Sequence, residues 1–125
     1  MNATDKIRVA DLMTTPIETI SKDATLVEAA TKMHDKEMNA MLVTTAPPSI
    51  VTSTDVLDAV AAGKDTSTLD VTDVMTESVE TVPPGLPINE AAQMMTTFNI
   101  SHLPVVEDDY IGMVSSSDIT THLSD

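Results

Sequence analysis

The sequence predicts a mixed α/β (α+β) chain made of two copies of one supersecondary unit, related by a pseudo-twofold axis. Three observations predict it. Residues 9–57 and 71–120 say nearly the same thing at an offset of 62 positions. Within each copy, short alternating or wholly apolar runs bracket one stretch of helical spacing. Each copy also closes on a hydroxyl residue with an aspartate three positions on. A period this long marks a duplicated unit and not a short solenoid turn.

The offset pairs Val9 with Val71, Asp11 with Asp73, and Met13-Thr14 with Met75-Thr76. It pairs Glu18-Thr19 with Glu80-Thr81, Glu28-Ala29-Ala30 with Glu90-Ala91-Ala92, and Met33 with Met95. One extra residue in the second copy then brings Thr52-Ser53-Thr54-Asp55 onto Ser115-Ser116-Ser117-Asp118. Copy one spans residues 7–62 and copy two residues 71–124. The polar stretch 63–70, GKDTSTLD, links them.

Each copy reads as a short helix, strand, helix, strand, strand, helix. In copy one, Val9–Met13 is a short helical turn that Pro16 would stop. Ile17–Ile20 alternates as a strand does. Thr25 opens a helix with a Thr-x-x-Glu capping box closed by Glu28. Leu26, Ala29, Ala30 and Met33 then share one face. Ala40–Val43 is apolar and short, as a buried strand is. Pro47-Pro48 marks a turn, Ile50-Val51 a strand, and Thr54–Ala62 a helix ended by Gly63. In copy two, Val79–Val82 is a strand and Pro83-Pro84-Gly85 a turn. Ile88–Phe98 is a helix with Ile88, Ala91, Ala92 and Met95 inward. Leu103–Val106 and Tyr110–Val114 are strands around the turn Glu107-Asp108-Asp109, and Ser116–Leu123 is the closing helix.

Each copy is near the size at which burial is marginal, so the two are expected to share a core. The 125 residues carry 20 acids against 6 basic side chains, a formal charge of −14. That excludes the basic footprint nucleic acid needs and disfavours an anionic membrane surface. No stretch approaches the roughly 20 apolar residues of a membrane span, and MNATDKIRV lacks the apolar core of a leader. With no cysteine, disulfides and thiolate chemistry are excluded. A cytoplasmic location is the expectation. Acids spread along the whole chain, with few lysines and many threonines, suggest a salt-loving source, where charge keeps a protein soluble.

The segments Ser49–Asp55 and Gly112–Asp118 carry the sharpest local signal. In each, a strand ends in a hydroxyl and a helix begins with an aspartate in its first turn. One reading is structural. Thr52-x-x-Asp55 and Ser115-x-x-Asp118 fit a capping box, and an acid there suits the helix dipole. The other uses the same physics for a ligand. Free N–H groups and hydroxyls at a helix start bind phosphate, and a carboxylate one turn along accepts the hydroxyls of a ribose. Local pattern alone favours the cap; the duplication narrows that margin without reversing it.

The paired copies, the D-[LV]-M-T segments, the run Ile100-Ser101-His102-Leu103-Pro104-Val105-Val106 and the G-x-V-S-x-S-D ending resemble a tandem CBS-domain pair, or Bateman module, over residues 7–123. The resemblance implies a β-α-β-β-α repeat with the two sheets packed together. It also implies homodimers, and a stand-alone regulatory module that senses an adenosine compound (AMP, ADP, ATP, S-adenosylmethionine or NAD) and modulates a partner protein that the sequence leaves unnamed. Cleft one would combine Thr52, Ser53 and Asp55 with Val79, His102, Leu103 and Pro104. Cleft two would combine Ser115, Ser116, Ser117 and Asp118 with Ile17, Ala40, Met41 and Leu42. Apolar side chains would hold the adenine while backbone groups read its edge. The alternative is a structural or oligomerisation module with empty clefts.

Copy one departs from the pattern. Ser49 stands where copy two has Gly112, Pro47-Pro48 replaces the acidic hairpin, and Met41-Leu42 replaces Leu103-Pro104. The family often sets a basic residue beside the phosphates at the position of His102; copy one has Ala40. On these assignments the better hydroxyl motif and the useful histidine fall in different clefts. A monophosphate or S-adenosylmethionine suits so acidic a chain better than a triphosphate. His34, His102 and His122 show no metal spacing, and His34 and His122 are expected to be solvated. The acidic turn at Glu107 reads as solvated rather than metal-binding. The methionines read first as core, with Met13 and Met75 candidates for a dimer face. No nucleophile–base pair or convergent carboxylates point to catalysis.

Overall fold

The computed structural model describes residues 7–124; the first six residues, part of the segment read above for a leader, lie outside it. The elements in order are α1 (Val9–Leu12), β1 (Thr19–Ile20), α2 (Leu26–Asp35), β2 (Ala40–Val43), β3 (Ser49–Thr52) and α3 (Ser53–Ala61). A 3₁₀ turn at Val71–Asp73 precedes α4 (Ile88–Phe98), β4 (His102–Glu107), β5 (Asp109–Ser115) and α5 (Ser116–Ser124). No described helix is long and apolar enough to cross a membrane.

Two compact units form, and they do not divide the chain as the repeat does. One unit is Glu18–Val79; the other joins the residues up to Ile17 to those from Glu80 onward. Each unit therefore takes its D-[LV]-M-T segment from the opposite sequence copy. The first-named unit builds a sheet of order β1-β2-β3, with β1 parallel and β3 antiparallel to β2. Thr76 extends it by pairing with Ile50, the two exchanging N–H···O bonds of 2.9 and 3.0 Å. Further along, the Leu26 N–H donates to the Leu69 carbonyl and the Val71 N–H to that of Ala24, both at 2.9 Å.

The second unit repeats these leading-segment bonds around a two-stranded sheet. β4 and β5 pair antiparallel around Asp108, with an irregularity at Val105/Val106. Thr14 pairs with Met113 at the sheet edge, as Thr76 does with Ile50. The Val9 N–H donates to the Leu86 carbonyl at 2.8 Å and the Ile88 N–H to that of Ile7 at 3.1 Å. This pairing also explains why α1 stops at Leu12, before Pro16 is reached: Met13 is already extended, delivering Thr14 to the sheet.

Gly112 is what lets that segment approach. A Cβ on it would lie 2.9 Å from the Thr14 carbonyl oxygen and 3.0 Å from Met13 Sδ. Its counterpart Ser49 is a buried polar side chain, 1% exposed. Its hydroxyl is satisfied by Thr45 Oγ1 at 2.6 Å, and Thr45 in turn donates to the Pro47 carbonyl at 2.8 Å.

The buried side chains form two clusters, each drawing on both copies, as the expected sharing requires. Leu26, Ala29, Met33, Met41, Val43, Val51 and Ala59 pack with Val71. Ala91, Met95, Leu103, Val105, Val114 and Ile119 pack with Val9. Each cluster thus borrows one fully buried valine from the opposite copy, because each copy's leading segment packs into the unit built on the other. Full burial of such a side chain contributes about 1.5–3 kcal/mol. Met13 and Met75, considered above for a dimer face, are half-buried against these cores.

The long helices form as their spacing predicts. Thr25 caps α2: its Oγ1 accepts the Glu28 N–H at 3.2 Å, and Glu28 Oε2 accepts the Thr25 N–H at 3.0 Å. Both α2 and α4 end in a left-handed residue, Glu37 (φ 54°) and Asn99 (φ 55°). The next N–H then bonds back to the carbonyl of Met33 (2.9 Å) or Met95 (3.0 Å), a Schellman closure. The strands expected at Ile17–Ile20 and Val79–Val82 are shorter than read. β1 keeps two residues. Of 79–82 only Val82 pairs, with Val105; where the Leu42 N–H donates to Glu18, Pro104 at the equivalent place has no N–H to give Glu80.

Candidate functional site

The two strand–helix junctions singled out in the sequence are built alike. At the end of β5, the Asp118 N–H donates to Ser115 Oγ at 3.1 Å, and Asp118 Oδ2 accepts the Ser115 N–H at 2.8 Å. At the end of β3, the Asp55 N–H donates to Thr52 Oγ1 at 3.3 Å, and Asp55 Oδ2 accepts the Thr52 N–H at 2.8 Å. Both are reciprocal capping boxes with aspartate in place of glutamate. They differ in one bond: Thr52 Oγ1 also lies 3.1 Å from Asp55 Oδ2 and donates to it. No hydrogen bond to Oδ1 of either carboxylate occurs among the described residues, and both aspartates are half-buried. One oxygen of each therefore closes the helix while the other keeps its lone pairs.

Sheet register decides what lies beside each junction. His102 is the partner of Ser115 and Pro104 that of Met113; Ala40 is the partner of Thr52 and Leu42 that of Ile50. Alternation along the strands sends Leu103 and Val105, and likewise Met41 and Val43, into the unit cores. His102 and Pro104, and likewise Ala40 and Leu42, fall on the opposite face. Of the base-pocket candidates, Leu103 and Met41 thus have only their main chain to offer. Ser53 and Ser117 are exposed, and Thr52, Ser115, Ser116, Ile17 and Val79 are half-buried. The Ser53 N–H donates to the Asn39 carbonyl at 2.9 Å.

His102 is half-buried at the start of β4. Burial pushes its pKa below the ordinary histidine value, and the carboxylate of Asp118 opposes that shift without cancelling it. The resemblance assigns His102 and the Ser115–Asp118 motif to different clefts. Within this unit the antiparallel register makes them neighbours.

His34 is exposed and paired with the Asp35 carboxylate at 3.3 Å, as a solvated residue. His122, expected to be solvated, is half-buried. Among the described residues no group of three or more His, Asp or Glu side chains is placed to hold a metal. Sequence reading missed one feature. A groove of about 520 Å³ runs between α2 and α3, bedded on Ala30, Met33 and Val56, with Leu57 and Val60 on its rim. Leu57 and Val60 are 66% and 55% exposed. Their apolar character was legible; their exposure depends on how α3 packs.

Comparison with known proteins adds to this geometry. The CBS domain profile matches residues 9–62 and 71–125. A homoserine O-acetyltransferase of Methanohalobium evestigatum is 35% identical over 117 residues, which is 90% of this chain and 23% of that protein. The chain thus spans about a quarter of that relative, and between a fifth and two thirds of the next two. Among solved structures, the CBS domain pair of protein MJ0100, in complex with 5′-methylthioadenosine and S-adenosylmethionine, superposes with a TM-score of 0.83 at 28% identity, covering 94% of this chain and 96% of that one. PAE2072 from Pyrobaculum aerophilum, complexed with AMP, gives 0.78 at 26% identity, covering 94% and 98%.

Proposed function

Because the chain belongs to the CBS-domain family and carries two copies in tandem, we propose that it is a regulatory ligand-sensing module for an adenosine compound. The class is AMP, ADP, ATP, S-adenosylmethionine or NAD. The ligand shifts the module between states and so modulates a partner protein, which requires different affinity for the two states. The module itself is not an enzyme, needs no cofactor or metal, and acts as a homodimer in the cytoplasm.

The observation that carries this reading is the doubled junction. At Ser115–Asp118 and at Thr52–Asp55, a hydroxyl at a helix start stands beside a carboxylate with one uncommitted oxygen. Such a set suits a phosphate or sugar hydroxyl beside a ribose. The strand segments starting at Ala40 and His102 are assigned to the base. The adenosine ligands of the two similar solved pairs support the ligand class. On Coulomb grounds, a monophosphate or S-adenosylmethionine is favoured over a triphosphate by a chain of charge −14.

A second reading has its own support. Both aspartates already close capping boxes, which is all a structural module with empty clefts needs. Thermal shift with AMP, ADP, ATP, S-adenosylmethionine and NAD in high KCl separates the two. A shift with at least one is expected, and its loss in Asp118→Ala or Asp55→Ala locates the site. No shift with any of the five sinks the sensing reading.

A further inference from the structure

α3 leaves most of its apolar surface uncovered. Ala59 is its one buried residue. Leu57 and Val60, three apart and so on one edge of the helix, are 66% and 55% exposed. They overhang the groove of about 520 Å³ against α2, whose bed is Ala30, Met33 and Val56. The surroundings of this groove are acidic. Glu37 lines it, and residues 34–62 carry four acids, Asp35, Glu37, Asp55 and Asp58, against Lys36 alone. Lys36 and Lys32 are both drawn to Glu18, at 3.4 and 3.8 Å, and Lys64 follows beyond the end of α3. The second unit shares neither property. Thr120 and Thr121 stand where the first has Leu57 and Asp58, and Asn99 where it has Glu37.

We propose that the groove between α2 and α3 is the docking site for a basic amphipathic helix of a partner protein. It gives the module a surface through which to act, and it stands on the groove without drawing on the adenosine ligand. A groove between two packed helices takes a third whose aliphatic anchors repeat every three or four residues. Leu57 and Val60 supply the apolar wall for those anchors, and Glu37 and Asp58 attract the basic side chains that flank them. A second copy of this chain is the competing occupant, and charge argues against it. A twofold contact sets a patch against itself. An acidic rim would then meet an acidic rim in a chain of charge −14, and such like-charge contact disfavours association.

The test uses two synthetic peptides of one composition, built from leucine, alanine and lysine. In one the leucines share a helix face; in the other they are scattered round it. Fluorescence anisotropy measures the binding of each to the whole chain, to Leu57→Thr and to Glu37→Asn. Both substitutions take the residue of the second unit and fall on exposed positions. The wild type is expected to bind the amphipathic peptide roughly tenfold tighter than the scattered one, and Leu57→Thr to lose that preference. Glu37→Asn is expected to weaken both peptides and to flatten the dependence on KCl. Equal affinity of the wild type for the two peptides is attraction to an acidic chain alone and overturns the inference. So does a preference that survives Leu57→Thr. Light scattering on the peptide-free proteins gives the remaining outcome: a wild-type dimer that Leu57→Thr converts to monomer assigns the groove to a second copy and overturns the proposal. Each of these failures leaves adenosine sensing intact, since thermal shift with the five ligands tests that reading separately.

Discussion

Thr14 and Met113 hold each other through two main-chain bonds, Thr14 N–H to the Met113 carbonyl at 2.8 Å and the reverse at 3.1 Å. They lie 99 positions apart in the chain, yet the pair is reproduced by Thr76 and Ile50 at the other sheet edge. The leading segment of each copy thus completes the unit built on the other.

That arrangement predicts which fragments fold. Residues 18–79 contain Val71 and Thr76 with the sheet and core they complete. Residues 7–62, a full sequence copy, lack both. Circular dichroism and amide exchange are expected to find structure in the first fragment and not in the second. A folded 7–62 fragment would show that the borrowed segment is dispensable.

Gly112→Ala places a methyl 2.9 Å from the Thr14 oxygen and against Met13. Backbone lies on one side of that contact, so it cannot relax by side-chain rotation alone. A loss of about 1–3 kcal/mol is expected from overpacking, measured by urea unfolding. A neutral result would mean the segment around Thr14 shifts freely.

Glu37 occupies a left-handed conformation at φ 54° on an exposed surface. Its counterpart Asn99 tolerates that region better. Glu37→Gly is expected to stabilise by roughly 0.5–1 kcal/mol, read as a higher melting temperature. A lower one would point to a contact of Glu37 that outweighs the backbone gain.

Thr52→Ala removes both side-chain bonds to Asp55 at the start of α3. The cost expected for a lost cap is about 1 kcal/mol, seen in denaturant midpoints with the slope unchanged. Because Asp55 Oδ2 still accepts the Thr52 N–H, a loss far above that figure is the outcome that contradicts the cap.

His102 carries a pH dependence of stability whose sign follows from burial. Its folded pKa lies below the unfolded value near 6.5. Just under 6.5 the unfolded chain therefore binds more protons than the folded one. This contribution is complete above 6.5 and is lost as pH falls through the folded value. Unfolding midpoints are expected to drop between pH 7.5 and 5.5, and less steeply in His102→Gln. A steeper fall in the variant would reverse the assignment.

Much of this was legible in the residues. The inward faces of α2 and α4, the Thr25 cap, the hairpin at Asp108 and the buried run Ala40–Val43 all follow from local rules. So did the capping geometry at Thr52 and Ser115, which needs only residues three apart. The two short strands were overread because Ile17 and Val79 have the right composition but no partner to pair with. The placing of His102 beside Ser115 was legible only in part, since it follows from the register across the hairpin and not from spacing along the chain.

The sequence by itself determined the duplication, the element order, which faces are apolar and where helices begin, because each depends on contacts within a few residues. Tertiary structure decided which segment completes which unit, that Gly112 must be small, and that Leu103 and Met41 face the core while His102 does not. Those outcomes depend on strand register and close approach between residues far apart in the chain. Local preference has no access to either, so one-dimensional copies and three-dimensional units came to differ at Ile17 and Val79.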